Sequence, residues 1–207
     1  MPQGICGIEI VRAAFIDRGE RAERTMLHAA GRVGGPAHSL RSWDNGTSWR
    51  SQDLSALTAA LYDVKFTGPR TGFLAGSSDG DLAKARGLIL RTDDGGETWH
   101  EVFRSGRNVE TVWKLHFPSP LVGYGTIQSY DQDPANVQRF IVKTEDGGRS
   151  WHEVPLVSEA KWRSFGIGFA DERLGWVGGT TGGLETRDGG ASWHPPKFCN
   201  AVNKIRF

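Results

Sequence analysis

Thr144-Glu145-Asp146-Gly147-Gly148-Arg149-Ser150-Trp151 decides the reading of this chain, because the same pattern occurs three more times. The other copies are Ser42-Trp43-Asp44-Asn45-Gly46-Thr47-Ser48-Trp49, Thr92-Asp93-Asp94-Gly95-Gly96-Glu97-Thr98-Trp99 and Thr186-Arg187-Asp188-Gly189-Gly190-Ala191-Ser192-Trp193. Each runs from a hydroxyl residue through Asp, Gly or Asn, and Gly to Ser or Thr and then Trp. The aspartates stand 50, 52 and 42 residues apart, the period of a repeat array built from blade-sized units. The local chemistry is that of a hairpin tip. Glycine reaches the positive φ of a tight turn without steric cost, and an Asp carboxylate accepts hydrogen bonds from the backbone N–H groups that follow it.

Aligning the copies on their Trp exposes the rest of the unit. Upstream lies a strand ending in Phe, at 11–15, 62–66, 113–117 and 165–169. A glycine-rich strand follows at 31–35, 72–76, 123–126 and 175–179, then the strand entering the turn at 39–41, 88–91, 140–143 and 183–185. The Trp opens a fourth, outermost strand. Alternation and β-branched or aromatic content support strand throughout, and four antiparallel strands make one propeller blade. The expected fold is therefore all-β, a propeller with blades at about 5–58, 59–109, 110–160 and 161–200. Tyr62 and Tyr124 fall within strands and read as core.

Two regions break the pattern. Asp17-Arg18-Gly19-Glu20-Arg21-Ala22-Glu23-Arg24 reads as a charged insertion, a solvated loop or a helical turn. Ala201–Phe207 parallels Val112–Phe117 and reads as the first strand of a further or closing blade. Four blades plus one orphan strand fit part of a larger ring, whose open blade faces would self-associate, or a compact four- or five-blade closure. Cys6 and Cys199 near the two ends read as two free thiols or as a bond joining the termini.

Bulk numbers set outer limits. The chain has 207 residues, 38% hydrophobic, with 28 glycines and a formal charge of +1. That suits a turn-rich β protein, and no global field points to nucleic acid or a membrane surface. No apolar run reaches the ~18 residues a membrane span needs. Met1–Ile16 lacks the basic start and apolar stretch of a signal peptide.

Candidate chemistry gathers on the innermost strands. Side chains at one and three residues before the terminal Phe share a face: Ala14 and Arg12, Lys65 and Asp63, His116 and Lys114, Gly168 and Gly166, then Arg206 and Lys204. Five permanent cations and His116 thus stand against one acid. Such convergence raises the local potential and lowers the pKa of His116. It implies a channel for an acidic peptide, a carboxylated sugar or a phosphate-bearing partner; the plain alternative is a solvent-filled channel with snorkelling tips. The loops opposite the Asp turns add Arg107, Trp162 and Arg163. Asp79 with Asp81 and Asp131 with Asp133 have the spacing of cation ligands or of an acid–base pair, but nothing completes a calcium loop. No cofactor is implied. His100, His152 and His194 each follow the Trp in blades two to four, with Arg50 there in blade one, and a position repeated blade by blade cannot converge on one ion.

The repeated motif resembles the Asp box, or bacterial neuraminidase repeat, of sialidases, sortilin-type receptors, some glycoside hydrolases and photosystem II assembly factors. In those families the box is structural and lies away from the ligand face, which implies a structural role for Asp44, Trp49, Asp94, Trp99, Asp146, Trp151, Asp188 and Trp193. The whole unit is most similar to the photosystem II stability/assembly-factor group, well over residues 60–207 and loosely over 1–59. That resemblance implies a non-enzymatic binding or assembly platform, typically exported. A sialidase-like or other glycoside hydrolase is the runner-up, although the Arg-Ile-Pro segment of sialidases is missing.

Overall fold

A computed structural model describes residues 5–17, 20–32, 36–133, 139–156, 163–180, 182–196 and 205, and for 5–25 and 32 the backbone alone. Its strands are β1 (Ile5–Asp17), β2 (Glu20–Arg32), β3 (Ala37–Ser42), β4 (Arg50–Asp53), β5 (Ala60–Phe66), β6 (Gly72–Ser77), β7 (Gly87–Thr92), β8 (His100–Arg104), β9 (Glu110–His116), β10 (Gly123–Ser129), β11 (Phe140–Thr144), β12 (His152–Pro155), β13 (Ser164–Phe169), β14 (Gly175–Gly179) and β15 (Gly183–Thr186). They form four antiparallel sheets, β1–β4, β5–β8, β9–β12 and β13–β15, each in simple meander order. In the fourth, His194 pairs with Glu185 where an outer strand belongs. The described residues contain no helix, and the four blades form an open arc of a β-propeller. The innermost strands β1, β5, β9 and β13 touch one another in that order.

The core lies between blades. Leu88 and Leu90 of β7 join Leu61, Val64, Leu74, Ala30 and Trp99 against the first blade, while Ile89 joins Phe73, Val112, Leu115 and Val142 against the third. A central strand buried on both faces has no polar side, so β7 reads Gly-Leu-Ile-Leu-Arg-Thr with all six residues buried. A third cluster, with Tyr124, Ile141, Ile167, Phe169, Val177 and Trp193, joins blades three and four.

Aromatic rings mark each seam. The Phe ending an innermost strand stacks on a second-strand ring of the preceding blade: Phe66 on His28 at 3.9 Å, Phe117 on Phe73 at 4.6 Å, Phe169 on Tyr124 at 3.7 Å. Each also meets its own blade's Trp99, Trp151 or Trp193 edge-on, a favoured geometry for aromatic pairs. The Phe ring covers the glycine that opens the second strand. A Cβ on Gly72, Gly123 or Gly175 would lie 2.3–2.5 Å from it.

The first blade corrects the sequence reading. The charged stretch from Asp17 to Arg24 extends the first blade beyond the others, but not as a loop or helical turn: apart from 18 and 19, it lies in a β1–β2 hairpin paired as far as Asp17 with Glu20. Only Leu27–Arg32 of β2 also pairs with β3. The rest is a two-stranded ribbon with no third strand beside it, so the segment needs no apolar pattern to be strand. The register moves as well. Leu27 pairs with Ser42 as Gly72 pairs with Thr92, so the second strand sits four residues earlier than Gly31 implied. Ile10, not Phe15, then occupies the Phe66 position, and Glu9, not Ala14, the Lys65 position.

Candidate functional site

The four turns are closed hydrogen-bonding units. In the second, Thr98 N–H and Oγ1–H donate to the Asp94 carboxylate at 2.9 and 2.6 Å, and Thr92 Oγ1–H at 2.7 Å. Thr92 Oγ1 in turn accepts Gly96 N–H at 2.8 Å. The same bonds recur around Asp44, Asp146 and Asp188. They pull Asp94 to about 2 against a partial burial that works the other way, and they hold Asp44 at about 2, led by Ser48. Gly95, Gly147 and Gly189 N–H groups donate to the carbonyls of Arg70, Leu121 and Arg173 in the first loop of the same blade. The preceding blade then clasps the turn: Arg91 Nη1 donates to Gly147 O at 2.6 Å, and Tyr124 Oη to Gly189 O at 3.1 Å. Every polar group of the Asp carboxylate is engaged inside the fold.

The innermost strands carry the predicted charges, with partners that the sequence did not reveal. Asp63 is buried and accepts Leu115 N–H from the next blade at 2.9 Å, with Lys114 Nζ at 3.5 Å. Burial pushes its carboxyl up, while Lys114 and that N–H pull against it. Lys114 Nζ also lies 3.5 Å from Tyr62 O. His116 Nε2 bonds Phe169 O at 3.0 Å across the next seam. Its pKa is lowered first by burial, opposed by that bond, with Lys65 lowering it further. Lys65 and His116 are both half-buried. Arg12 belongs to the ribbon of the first blade rather than to the channel register, where Gly7 and Glu9 stand. The side chain of Arg12, and Trp162, Cys199, Lys204 and Arg206, lie outside the described residues.

Arg107 is held within the fold. It donates to Glu153 through both Nη atoms at 2.9 and 2.7 Å and to Glu110 through Nε at 2.7 Å, with its guanidinium over the Phe140 ring. Burial raises the Glu110 carboxyl, but that side chain is only 2% exposed, out of reach of a substrate. Asp79, Asp81 and Asp131 cap the backbone two residues on, at Asp81, Ala83 and Asp133 N–H. Among the described residues no group of three or more His, Cys, Asp or Glu gathers for a metal.

A row of rings was missed. The registers of β5, β9 and β13 each skip one residue, and the skipped residues are Tyr62, Trp113 and Phe165. Such a bulge re-aims a side chain and breaks the alternation. Tyr62 and Trp113 lie 4.6 Å apart at 32°, Trp113 and Phe165 6.2 Å apart at 67°. All three are half-buried. Burial raises the Tyr130 phenol, with Tyr62 adding to the effect, and Arg163, exposed, lies over the Tyr130 ring at 5.2 Å. The sequence signal was an aromatic four residues before each terminal Phe. Strict alternation would send it into the core.

Known proteins resemble this chain in its repeat and in its fold. The BNR/Asp-box repeat family matches residues 90–101. A curated relative, the chloroplastic photosystem II stability/assembly factor HCF136 of Guillardia theta, is 42% identical over 57 residues, 27% of this chain and 12% of the relative. Among solved structures, YCF48 bound to D1 peptide superposes with a TM-score of 0.57 at 16% identity, over 98% of this chain and 57% of that one. The GH74 enzyme of Niastella koreensis gives 0.64 at 15% identity, over 96% of this chain and 31% of the enzyme. These likenesses establish the propeller fold, and this chain spans well under two thirds of each.

Proposed function

We propose that this chain is a non-enzymatic binding platform that holds an acidic segment of a protein partner along its innermost strands. One observation carries the reading. Lys65, Lys114 and His116 stand on two adjacent innermost strands, and Arg163 immediately precedes a third; of the two acids at those strand positions, Asp63 is buried and already paired, and Glu9 stands apart on the innermost strand of the first blade. Net charge over the whole protein is only +1, so the surplus is local, and a local surplus steers an acidic partner. The solved propeller with a bound D1 peptide supports a peptide as the occupant. The raised carboxyl of Glu110 being sealed behind Arg107 supports binding over hydrolysis.

The test is fluorescence anisotropy with a fluorescein-labelled acidic decapeptide and a lysine-rich control, at low and high salt. Wild type binds the acidic peptide with a steep salt dependence. Lys65→Gln with Lys114→Gln weakens it about fivefold and flattens the slope. Because Lys114→Gln strands a buried carboxylate, the variant Asp63→Asn/Lys114→Gln is measured beside it. Unchanged affinity in both refutes the proposal.

A further inference from the structure

The row Tyr62–Trp113–Phe165 has no place in the three buried cores. None of these rings belongs to the inter-blade clusters, which take the Phe of the same strands instead: Phe66, Phe117 and Phe169. Each of the four blades gives up one position of ladder pairing at the same place, where the first has Cys6 and the other three an aromatic residue, and a bulge aligned in this way is a designed feature. In the second, third and fourth blades it brings three half-buried rings into contact across the seams. The adjoining backbone is strained. Val109, β-branched, sits at φ 62, and its carbonyl accepts Tyr130 N–H at 2.8 Å. Strain of this kind costs about 1–3 kcal/mol and clusters at functional sites.

We infer that this row is a stacking surface for a proline or aromatic side chain of an extended acidic peptide; the inference rests on the platform reading above and names the partner's chemistry. Two features select that occupant. The planes of Tyr62, Trp113 and Phe165 are inclined at 32° and 67° to their neighbours, so they share no flat surface for a run of sugar rings. They offer clefts between faces and edges that suit one inserted side chain. The row is also bordered by cations, Lys114 Nζ at Tyr62 O and Arg163 over Tyr130. An acidic residue flanking the inserted ring would meet one of them.

Three probes decide it by anisotropy and calorimetry: an acidic decapeptide with a central Trp-Pro, the same peptide with Ala-Ala, and neutral cellohexaose. The Trp-Pro peptide binds at least about tenfold tighter than the Ala-Ala peptide. Trp113→Leu removes that advantage and leaves the Ala-Ala affinity unchanged. Tyr62→Leu is the second variant, should Trp113→Leu not fold by circular dichroism. Equal affinity of the two peptides overturns the stacking surface while the charge reading stands. Binding of neither overturns both. Cellohexaose binding that Trp113→Leu abolishes overturns the assignment to peptide.

Discussion

Replacing Asp94 by Ala removes three donors' worth of acceptor from one hairpin: Thr98 N–H, Thr98 Oγ1–H and Thr92 Oγ1–H, at 2.6–2.9 Å. The two Thr98 donors lie at the surface and water can replace the carboxylate there, but Thr92 is fully buried and its hydroxyl is left without that acceptor. The cost then sits toward the upper end of that of losing a cap, about 1–2 kcal/mol. The carboxyl itself gives an independent figure. A fall from 3.8 to about 2 corresponds to a little over 2 kcal/mol at neutral pH, and solvent exposure cuts that to about 1 kcal/mol. For a chain of this size, melting should drop by about 2–8 °C. The pH dependence has a definite sign. A depressed carboxyl stabilises above its unfolded value of 3.8, and the contribution is lost as pH falls from 3.8 to about 2. Asp94→Ala should therefore be destabilised at pH 7 and converge on wild type near pH 2. Asp94→Asn, which keeps one acceptor, should fall between them. Thermal scans across pH read this out. An unchanged melting temperature in Asp94→Ala at pH 7 would refute the reasoning.

Three other outcomes follow from the seams. His28 is buried, with no partner for either ring nitrogen among the described residues, and its pKa is lowered to about 4, first by burial and then by Arg41; a depressed histidine loses stability as pH falls from 6.5 to about 4. Phe73 and Tyr124 hold the equivalent stacking position, so His28→Phe should raise melting by about 1 kcal/mol equivalent and flatten denaturant-measured stability over that pH window. Gly148→Ala should destabilise by about 3–5 kcal/mol, since φ is +78 and a Cβ would lie 2.2 Å from Phe73; Gly68→Ala, with nothing within 4 Å, is the neutral control. Arg107→Ala should cost about 3 kcal/mol or more, because it strands buried Glu110; Arg107→Ala/Glu110→Gln should recover part of it in urea titration.

Much of the fold was legible because its signals are local. Turn chemistry at Asp44, Asp94, Asp146 and Asp188 depends on neighbours within four residues, and glycine positive φ values complete each turn. The first blade failed where pairing between distant residues decides register. Gly31-Arg32-Val33-Gly34-Gly35 imitates a second strand, yet Leu27 and His28 take that place with no glycine to announce it. The charges were legible as residues but not as pairs, since Asp63 meets Leu115 and Lys114 across a blade seam. The aromatic row was hidden by the assumption of unbroken alternation. A single skipped residue in each of β5, β9 and β13 turns Tyr62, Trp113 and Phe165 out of the core.

The central claim is that partner binding belongs to the innermost strands and the Asp turns only build the fold. Hydrogen–deuterium exchange on the protein with and without the acidic Trp-Pro peptide tests it directly. The account predicts new protection over 60–66, 110–116 and 164–169, with the turns at 92–99, 144–151 and 186–193 unchanged. Protection centred on those turns, with the innermost strands unaffected, would contradict it.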